Sequence, residues 1–468
     1  MSAVAFAPTL DFETVLAGTG GALEGGRWSR PLTGASIDTR TLRPGELFFA
    51  IAGPRFDGHE FLAEAAGRGA AGAVVHRDAA APPGFPTVRV ADTSRALSDL
   101  AGHVRRAAPL PVVAITGSVG KTTTKDMAAE LLATRGPVLK TEGNLNNRYG
   151  VPLTLLRLAE EHTAAVLELG MSAPGELSAL AAIARPDVAV ITRVAPVHLE
   201  FFPSVEAIAE AKAELLDGLR EDGVAVLNAD DPLVRRAAEA REVRVVWFGR
   251  DRRADVSAER WRGTAFGMRF DLRVGGRTVD VALPLAGPHF VEDFLGAAAV
   301  AHVLGVEPEA MAEAALRVRP APHRGEVRRL GGGVTLLDDC YNSSPAALAA
   351  ALVALSLAAG RRRVAVLGDM LELGPSAPTL HREQGAALPD RADVVVGVGA
   401  LAREILEGAR AAGLPPERLH HFPDAARAAA AVPALVESGD AVLVKGSRGI
   451  RLEAVVDALV ARFGEGEG

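Results

Sequence analysis

The chain has 468 residues, of which 49% are hydrophobic and 23% charged, and its net charge is -7 at pH 7. This length predicts two to four domains, and the composition is that of a globular protein rather than a disordered one. The acidic balance argues against a general nucleic-acid or membrane-surface binder. A single cysteine, Cys340, excludes a disulfide framework and suits a reducing compartment.

The N-terminus carries no basic segment, and the acidic residues Asp11 and Glu13 follow it, so we expect no signal peptide. The longest alanine-leucine run, 346–359, is too short to span a bilayer and contains Ser356, so it is better interpreted as a buried helix. We therefore expect a soluble, cytoplasmic protein without membrane insertion. We also expect a monomer and, from the net charge, no nucleic-acid partner.

The hydrophobic pattern of residues up to about 105 predicts a small α/β unit. It has strand-like runs at 45–51 and 70–76, with a helix at 61–68 between them. This segment has no phosphate loop. Its polar clusters, 38–40 and 55–59, are explained as well by turn chemistry and surface ion pairs as by binding. The stretch 105–111, which contains two prolines, is a candidate linker.

The second segment opens on a buried-type strand, 112–116, followed by Gly117, Gly120, Lys121 and Thr122, and a helix is predicted over 125–132. Strand, glycine loop and helix together form a polyphosphate site, because inward N–H groups, the helix N-terminus and the lysine all attract anions. A hydroxyl after the lysine can bind Mg²⁺. The loop is shortened, since Ile115 stands where the longer loop has its first glycine.

Further apolar runs at 163–167, 187–191 and 223–227 each end in polar residues, namely Glu168, Thr192 and Asn228. Such runs, separated by helical stretches, predict a parallel sheet covered on both faces. Ligands bind at the carboxyl ends of strands in these sheets. Glu168 is the best candidate metal ligand, because a carboxylate at the end of a buried strand is costly without a cation.

The rest of the chain predicts an antiparallel patch at 243–285, a helix at 290–305, a second linker at 317–323 and a second doubly wound sheet with strands near 334–337, 364–367, 394–398 and 441–444. The predicted fold is α/β with three domains. These are a small N-terminal α/β domain (1–106), a central P-loop parallel-sheet ATPase domain (107–318) and a C-terminal Rossmann-like doubly wound domain (319–468).

The loop 116–123 resembles the short loop of the Mur ligases, ATP-dependent amide-forming enzymes of peptidoglycan precursor synthesis. The resemblance continues along the chain in the motifs at 143–147, 150–154, 167–171, 198–202, 211–214, 322–326 and 445–448. Within the family, 337–342 and 367–374 resemble the members that join D-alanyl-D-alanine to UDP-N-acetylmuramoyl-tripeptide. The resemblance thus implies these two substrates, ATP, about two Mg²⁺ ions and an acyl-phosphate intermediate.

The resemblance also implies roles for individual residues. It implies an ATP site of Gly117, Ser118, Val119, Gly120, Lys121, Thr122, Thr123, His289, Asp293, Arg324 and Asp339. It implies metal ligands at Thr122, Glu168, His198 and Lys212, the last as a side-chain carbamate, and catalytic roles for Lys121, Glu168, His198 and Lys212. It implies substrate contacts by Asp38, Thr39, Arg40, Asn147, Asn342, Lys445 and Arg448, the first three at the uridine diphosphate end.

Two motifs depart from the family pattern. Phe290 and Asp293 stand where asparagines are usual near the adenine, and an ionised aspartate cannot donate a hydrogen bond as an amide does. Ser344 replaces an asparagine before Pro345, and we expect it to alter the local turn without abolishing the site.

Other functions remain open from the sequence. Another ligase of the same superfamily, such as the third-residue-adding enzyme or folylpolyglutamate synthase, is the nearest. A P-loop GTPase switch would need the lysine of the guanine motif, which 228–231 lacks. A motor ATPase would hydrolyse ATP without any amino-acid acceptor, which an assay distinguishes. A non-catalytic UDP-sugar binder would leave the phosphate loop unexplained.

Overall fold

The computed structural model describes residues 10–28, 30–358 and 360–466. Most of the N-terminal segment considered for a signal peptide, and the last residue of the alanine-leucine run, lie outside these ranges. The described chain divides into two compact units. One comprises residues up to 116, 135–190 and 212–225, and the other comprises 117–134, 191–211 and the chain from 226 onward.

The first sheet has five strands in the order β1-β5-β4-β3-β2, and only the β1–β5 pair is antiparallel. Its middle strands are buried throughout, and their aromatic and aliphatic side chains build a small core with the following helices. The elements are α1 Phe12–Thr19, β1 Ala22–Glu24, β2 Ala35–Ser36, β3 Leu47–Phe49, α2 Leu62–Gly67, β4 Gly72–Val75, β5 Thr87–Arg89 and α3 Thr93–Ala107.

Helix α3 overlaps the first predicted linker, because it continues to Ala107 and buries Arg105, which is 2% exposed. The guanidinium of Arg105 donates to the carbonyl oxygens of Ala184 (2.8 Å) and Arg185 (2.9 Å), and to Oδ2 of Asp187 (2.7 Å). A forked cation with these acceptors fixes the end of α3 against the segment 184–187. The start of the predicted linker is therefore an anchor.

Replacing Arg105 with alanine is expected to lower the free energy of unfolding by about 3 kcal/mol, because it leaves buried acceptors without their donor. Urea denaturation measures this change. Arg106, the exposed neighbour on the same helix, supplies the matched control, and Arg106→Ala is expected to change stability by less than about 0.5 kcal/mol. Equal effects of the two substitutions would contradict the anchoring role of Arg105.

The second sheet has nine strands in the order β14-β13-β12-β11-β10-β9-β6-β8-β7. The antiparallel patch predicted over 243–285 is the β12–β14 meander, and β11 pairs parallel with β12. The elements are β6 Val112–Thr116, α4 Lys121–Leu132, β7 Val138–Lys140, α5 Gly150–Leu155, β8 Ala164–Glu168, α6 Glu176–Ala184, β9 Val188–Ile191, α7 Val205–Asp217, β10 Val224–Asn228, α8 Pro232–Glu239, β11 Arg244–Gly249, β12 Val256–Thr264, β13 Gly267–Val274, β14 Arg277–Leu283, α9 Pro288–Val303 and α10 Pro308–Ala315.

The third sheet has six strands in the order β15-β16-β20-β17-β18-β19, parallel except for β15. Alternate strand residues enter two separate cores, as expected for a sheet covered on both faces. The elements are β15 Glu326–Arg329, β16 Thr335–Asp339, α11 Pro345–Leu357, β17 Arg363–Gly368, α12 Ala377–Ala386, β18 Val394–Val398, α13 Ala402–Ala411, β19 Leu419–Phe422, α14 Ala425–Leu435, β20 Ala441–Lys445 and α15 Glu453–Phe463.

This arrangement confirms the predicted α/β fold with its two wound sheets after a small N-terminal one. Within the described part of the chain, every helix is too short or too polar to cross a bilayer.

Candidate active site

The glycine loop joins β6 to α4, and two of its glycines are required by its shape. Gly120 has φ of +84°, a left-handed conformation, and a Cβ there would collide with the carboxylate of Asp293. A Cβ at Gly117 would collide with the hydroxyl of Thr192. Helix α4 begins directly at Lys121, four residues before the predicted start, because the loop geometry overrides the weak helix propensity of the threonines.

The loop is held in shape by the segment that follows β9. Thr192 Oγ1 donates to the carbonyl oxygen of Val119 (2.6 Å), and the backbone N–H of Ser118 donates to the carbonyl oxygen of Arg193 (2.6 Å). The Ser118 hydroxyl donates to the carbonyl oxygen of Ala195 (3.0 Å). The loop is therefore preorganised, which limits the ordering cost of binding an anion there.

Lys121 folds back over this loop, where its Nζ donates to the carbonyl oxygen of Gly117 at 2.8 Å. The lysine is half-buried, and Thr122 beside it is 6% exposed. The first turn of α4 adds backbone N–H groups and the positive end of the helix dipole. A lysine ammonium group beside the N–H groups of a helix N-terminus is suited to a polyphosphate.

Glu168 ends β8, where it lies opposite Ile115 of β6 in the strand register, two residues before Gly117. It is 3% exposed, and its Oε1 accepts a hydrogen bond from Asn146 Nδ2 at 2.8 Å. Its backbone N–H donates to Thr141 Oγ1 at 2.9 Å. The strand thus presents one buried carboxylate at the edge where the sequence places it. Asn146 is a partner that the strand-end pattern could not identify.

Lys212 lies on α7 and is 2% exposed. Two residues on, the Glu214 carboxylate caps helix α6 by accepting from the backbone N–H groups of Gly175 (2.8 Å) and Ser178 (3.2 Å). Burying an ammonium group is costly unless it is paired or chemically changed. A change in the charge of Lys212 would therefore strongly alter the free energy of keeping this side chain buried.

His198 follows β9 in a left-handed backbone conformation with φ of +54°. Its Nδ1 lies 2.6 Å from Oε2 of Glu372, in the loop after β17. Glu372 belongs to the family-like motif 367–374, and no individual role was predicted for it.

Two candidate nucleotide residues, His289 and Asp293, lie one turn apart on α9, which begins at Pro288. Desolvation, with the positive charge of Lys445 second, lowers the pKa of His289 to about 3, so its ring is neutral. The Asp293 carboxylate lies against Gly120. Desolvation, with the negative charge of Glu292 second, raises the pKa of Asp293 well above its ordinary value.

This raised pKa predicts a pH dependence of stability. The folded state holds the Asp293 proton more tightly than the unfolded chain, so stability falls as pH rises from the ordinary carboxyl pKa through the raised one. We expect Asp293→Asn to remove that decline, so that the melting temperature of the variant rises relative to that of the wild type as pH increases above about 4, the ordinary carboxyl pKa. Thermal melts across this range measure the difference.

Asp251 supplies the control for this experiment, because its pKa is lowered to about 2 by hydrogen bonds from Arg253 and it is ionised throughout the range. Melting curves of Asp251→Asn and wild type should stay parallel with pH. Parallel curves for Asp293→Asn as well would contradict the raised pKa.

In the third sheet, β16 and β20 bring Asp339 and Lys445 opposite each other. Lys445 Nζ donates to Asp339 Oδ2 at 2.6 Å and to the carbonyl oxygen of Asn342 at 3.0 Å. Desolvation raises the pKa of Asp339, and Lys445 opposes that shift. These three candidate residues therefore form one group.

Beside that group, the guanidinium groups of Arg324 and Arg448 both lie over the Tyr341 ring, at 4.1 Å and 5.6 Å from its centroid. The tyrosine orients both candidate cations.

Ser344, one of the two departures from the family pattern, is the N-cap of α11, since its Oγ accepts a hydrogen bond from the backbone N–H of Ala347 at 3.4 Å. A serine suits this position as well as an asparagine does.

The remaining candidate residues, predicted to contact the substrates, make contacts with residues close to them in the sequence. Arg40 forks onto the Asp38 carboxylate at 2.6–3.2 Å, and the Arg40 side chain is 82% exposed. Thr39 beside them is buried. Asn147 Oδ1 accepts from the backbone N–H groups of Tyr149 (3.1 Å) and Gly150 (3.0 Å) at the start of α5. This is the turn and surface chemistry that the sequence allowed.

Three domain families match the chain in succession. Residues 31–105 match the Mur ligase family, catalytic domain; residues 115–301 match the Mur ligase middle domain; and residues 323–448 match the Mur ligase, glutamate ligase domain.

Relatives match over almost the full length. A UDP-N-acetylmuramoyl-tripeptide--D-alanyl-D-alanine ligase from Bacillus subtilis (strain 168) is 36% identical over 91% of this chain and 93% of its own. A crystal structure of MurF from Acinetobacter baumannii is 32% identical, with a TM-score of 0.87 over 97% of this chain and all of that one. The MurF ligase from Thermotoga maritima in complex with ADP is 30% identical, with a TM-score of 0.80 over 92% of this chain and 98% of that one. The chain belongs to the Mur ligase family, among the ligases that join D-alanyl-D-alanine to UDP-N-acetylmuramoyl-tripeptide.

Proposed function

We propose that this chain joins D-alanyl-D-alanine to UDP-N-acetylmuramoyl-tripeptide, with conversion of ATP to ADP and phosphate, to give the UDP-muramoyl-pentapeptide of peptidoglycan synthesis. The observation that carries the proposal is the preorganised loop 117–123 at the head of α4, with Lys121 over it. The names of the full-length relatives support the choice of substrates, and the ADP complex of a relative supports the nucleotide.

The reaction proceeds in two steps. The terminal carboxylate of the tripeptide attacks the γ-phosphorus of ATP, so that an acyl phosphate forms and ADP leaves. The amine of D-alanyl-D-alanine then attacks the acyl carbon, and the tetrahedral intermediate loses a proton and phosphate to give the amide. The protein contributes positioning and charge neutralisation rather than covalent chemistry.

The loop binds the ATP phosphates through backbone N–H groups of residues 119–123, since the N–H of Ser118 is donated to the Arg193 carbonyl oxygen. Lys121 exchanges its bond to the Gly117 carbonyl oxygen for a bond to a phosphate oxygen. On α9, His289 and Asp293 meet the nucleotide. A neutral carboxylic acid offers both a donor and an acceptor, as an amide does. The raised pKa of Asp293 therefore supports its substitution for the usual asparagine. From the third sheet, Arg324 and Asp339 meet the same nucleotide.

The chain's residues fit Mg²⁺. Glu168 is a buried carboxylate with one oxygen held by a neutral amide donor, and Thr122 offers a hydroxyl at the loop. Oxygen ligands of this kind, completed by phosphates and water, are those Mg²⁺ prefers. When bound, Mg²⁺ neutralises charge on the phosphate oxygens. Thr122, Glu168, His198 and carbamylated Lys212 are the proposed ligands of two ions.

A carbamate at Lys212 converts a buried cation into an anion. The amine attacks CO₂, a proton leaves, and the product is a carboxylate-like group on the lysine side chain. This exchange suits a side chain that is 2% exposed, because the anion can then pair with a metal cation where an ammonium would repel it.

The remaining candidates bind the two substrates. Asp38, Thr39 and Arg40 take the uridine diphosphate end, and Asn147, Asn342, Lys445 and Arg448 contact the peptide parts. We place the domain boundaries at 1–106, 107–318 and 319–468, so that the N-terminal domain binds the uridine diphosphate end, the central domain binds ATP and the C-terminal domain binds the dipeptide. A monomer acting in the cytoplasm is the state we infer for the chain.

A comparison of amine acceptors tests this function. The purified protein is given ATP, Mg²⁺ and UDP-N-acetylmuramoyl-tripeptide with D-alanyl-D-alanine, D-alanine or L-glutamate, and products are identified by mass. We expect a product only with the dipeptide. A product with glutamate but not the dipeptide would instead favour a superfamily relative such as folylpolyglutamate synthase.

A further inference from the structure

Two loops meet at a closely built contact within one of the compact units. One follows β9 and carries residues 198–202, and the other follows β17 and carries residues 369–374. His198 Nδ1 lies 2.6 Å from Glu372 Oε2, and the backbone N–H of Glu200 donates to the carbonyl oxygen of Glu372 at 3.4 Å. Side-chain and main-chain contacts thus join the same two loops.

Gly374 shows how close the loops come. A Cβ at this residue would lie 3.0 Å from the carbonyl oxygen of Leu199 and 3.2 Å from the Cα of Glu200, so a side chain would push the loops apart. Both His198 and Glu372 have left-handed backbones, with φ of +54° and +63°. Non-glycine residues hold this conformation only where their surroundings impose it, and such residues cluster at functional sites.

The chemistry of the pair follows from the two nitrogens of imidazole. A carboxylate 2.6 Å from Nδ1 stabilises a proton on that nitrogen, which places the lone pair of the neutral ring on Nε2. Carboxylates hold metal-binding histidines in this way, and their loss typically lowers metal affinity by about 10–100-fold.

We propose that Glu372 is a positioning residue that fixes the tautomer and orientation of His198 for metal binding. The histidine is then correctly presented only while loop 369–374 lies against loop 198–202. This inference rests on the proposed function, because it takes His198 as a metal ligand, and it gives the C-terminal motif 367–374 a part in assembling the metal site.

A purely stabilising role is disfavoured by exposure. The Glu372 side chain is 52% exposed and that of His198 is 29% exposed, and ion pairs this open contribute little to stability. The pair is therefore expected to affect the histidine far more than the fold.

Three variants of the full chain test the proposal: Glu372→Ala, Glu372→Gln and the exposed control Glu383→Ala on α12. The first readout is the His198 tautomer, taken from ¹⁵N chemical shifts of the metal-free protein at about pH 8.5, where an ordinary histidine is neutral. The His198 signal is assigned among the 11 histidines with a His198→Gln variant. The second readout is Mn²⁺ affinity in the presence of ADP, measured by electron paramagnetic resonance.

We expect Glu372→Ala to show the Nε2-protonated tautomer and to bind Mn²⁺ about tenfold more weakly. Glu372→Gln should keep the Nδ1-protonated tautomer, because its amide oxygen places a partial negative charge at the same position, and should retain most of the affinity. The control should match wild type. An unchanged tautomer and unchanged Mn²⁺ affinity in Glu372→Ala would overturn the proposal. Because the tautomer is read without substrates, its outcome is independent of whether the dipeptide is the acceptor.

Discussion

Lys121→Ala is expected to lower dipeptide-dependent phosphate release by about 10³-fold or more, since the substitution removes the one side-chain cation of the glycine loop. Lys121 lies over the loop, with its Nζ 2.8 Å from the Gly117 carbonyl oxygen, where a polyphosphate would replace that acceptor. Continuous phosphate detection under saturating ligands measures the loss. Isothermal titration with ADP should show weakened binding in the same variant.

The fold should survive this substitution, because alanine is a better helix former than lysine in the first turn of α4. Lys140→Ala, which removes an exposed lysine of β7, is the matched control and should keep wild-type turnover. Near-wild-type phosphate release by Lys121→Ala would contradict the role of the loop in the reaction.

The second large effect is expected at Lys212. Lys212→Ala should lose activity by about 10²-fold or more, and raising bicarbonate should not restore it, because the variant has no amine to form a carbamate. Wild-type protein equilibrated with ¹³C-bicarbonate should show a carbamate carbon signal that is absent from the variant. The activity assay and the carbamate signal thus both test the side-chain amine of Lys212.

Lys212→Met separates chemistry from packing, because it keeps most of the side-chain volume at this buried position. We expect Lys212→Met to melt near the wild-type temperature and to be as inactive as Lys212→Ala. An active variant of either kind would rule out the carbamate.

Local patterns in the sequence predicted much of the site. The glycine loop and Glu168 were predictable, because each depends on a strand ending at a known residue and on the few residues after it. The α/β fold with its wound sheets was predictable for the same reason, since continuous apolar runs of four to five residues indicate buried parallel strands.

Contacts between distant segments were beyond local patterns. Arg105 looked like part of a linker, yet it is buried by acceptors that lie about 80 residues later in the chain. The pairing of Glu372 with His198 and the approach of Asp293 to Gly120 also depend on tertiary packing. Asp293 appeared as a departure from the family pattern, and only the structure shows that its surroundings favour the protonated, amide-like form.

The most direct test of the ligase is phosphate release with UDP-N-acetylmuramoyl-tripeptide, ATP and D-alanyl-D-alanine present together and with each omitted in turn. The proposed reaction predicts rapid release only with all three ligands, matched by one pentapeptide formed for each phosphate. Equally rapid release without the dipeptide or without the tripeptide would contradict it, because the protein would then be an ATPase rather than an amide ligase.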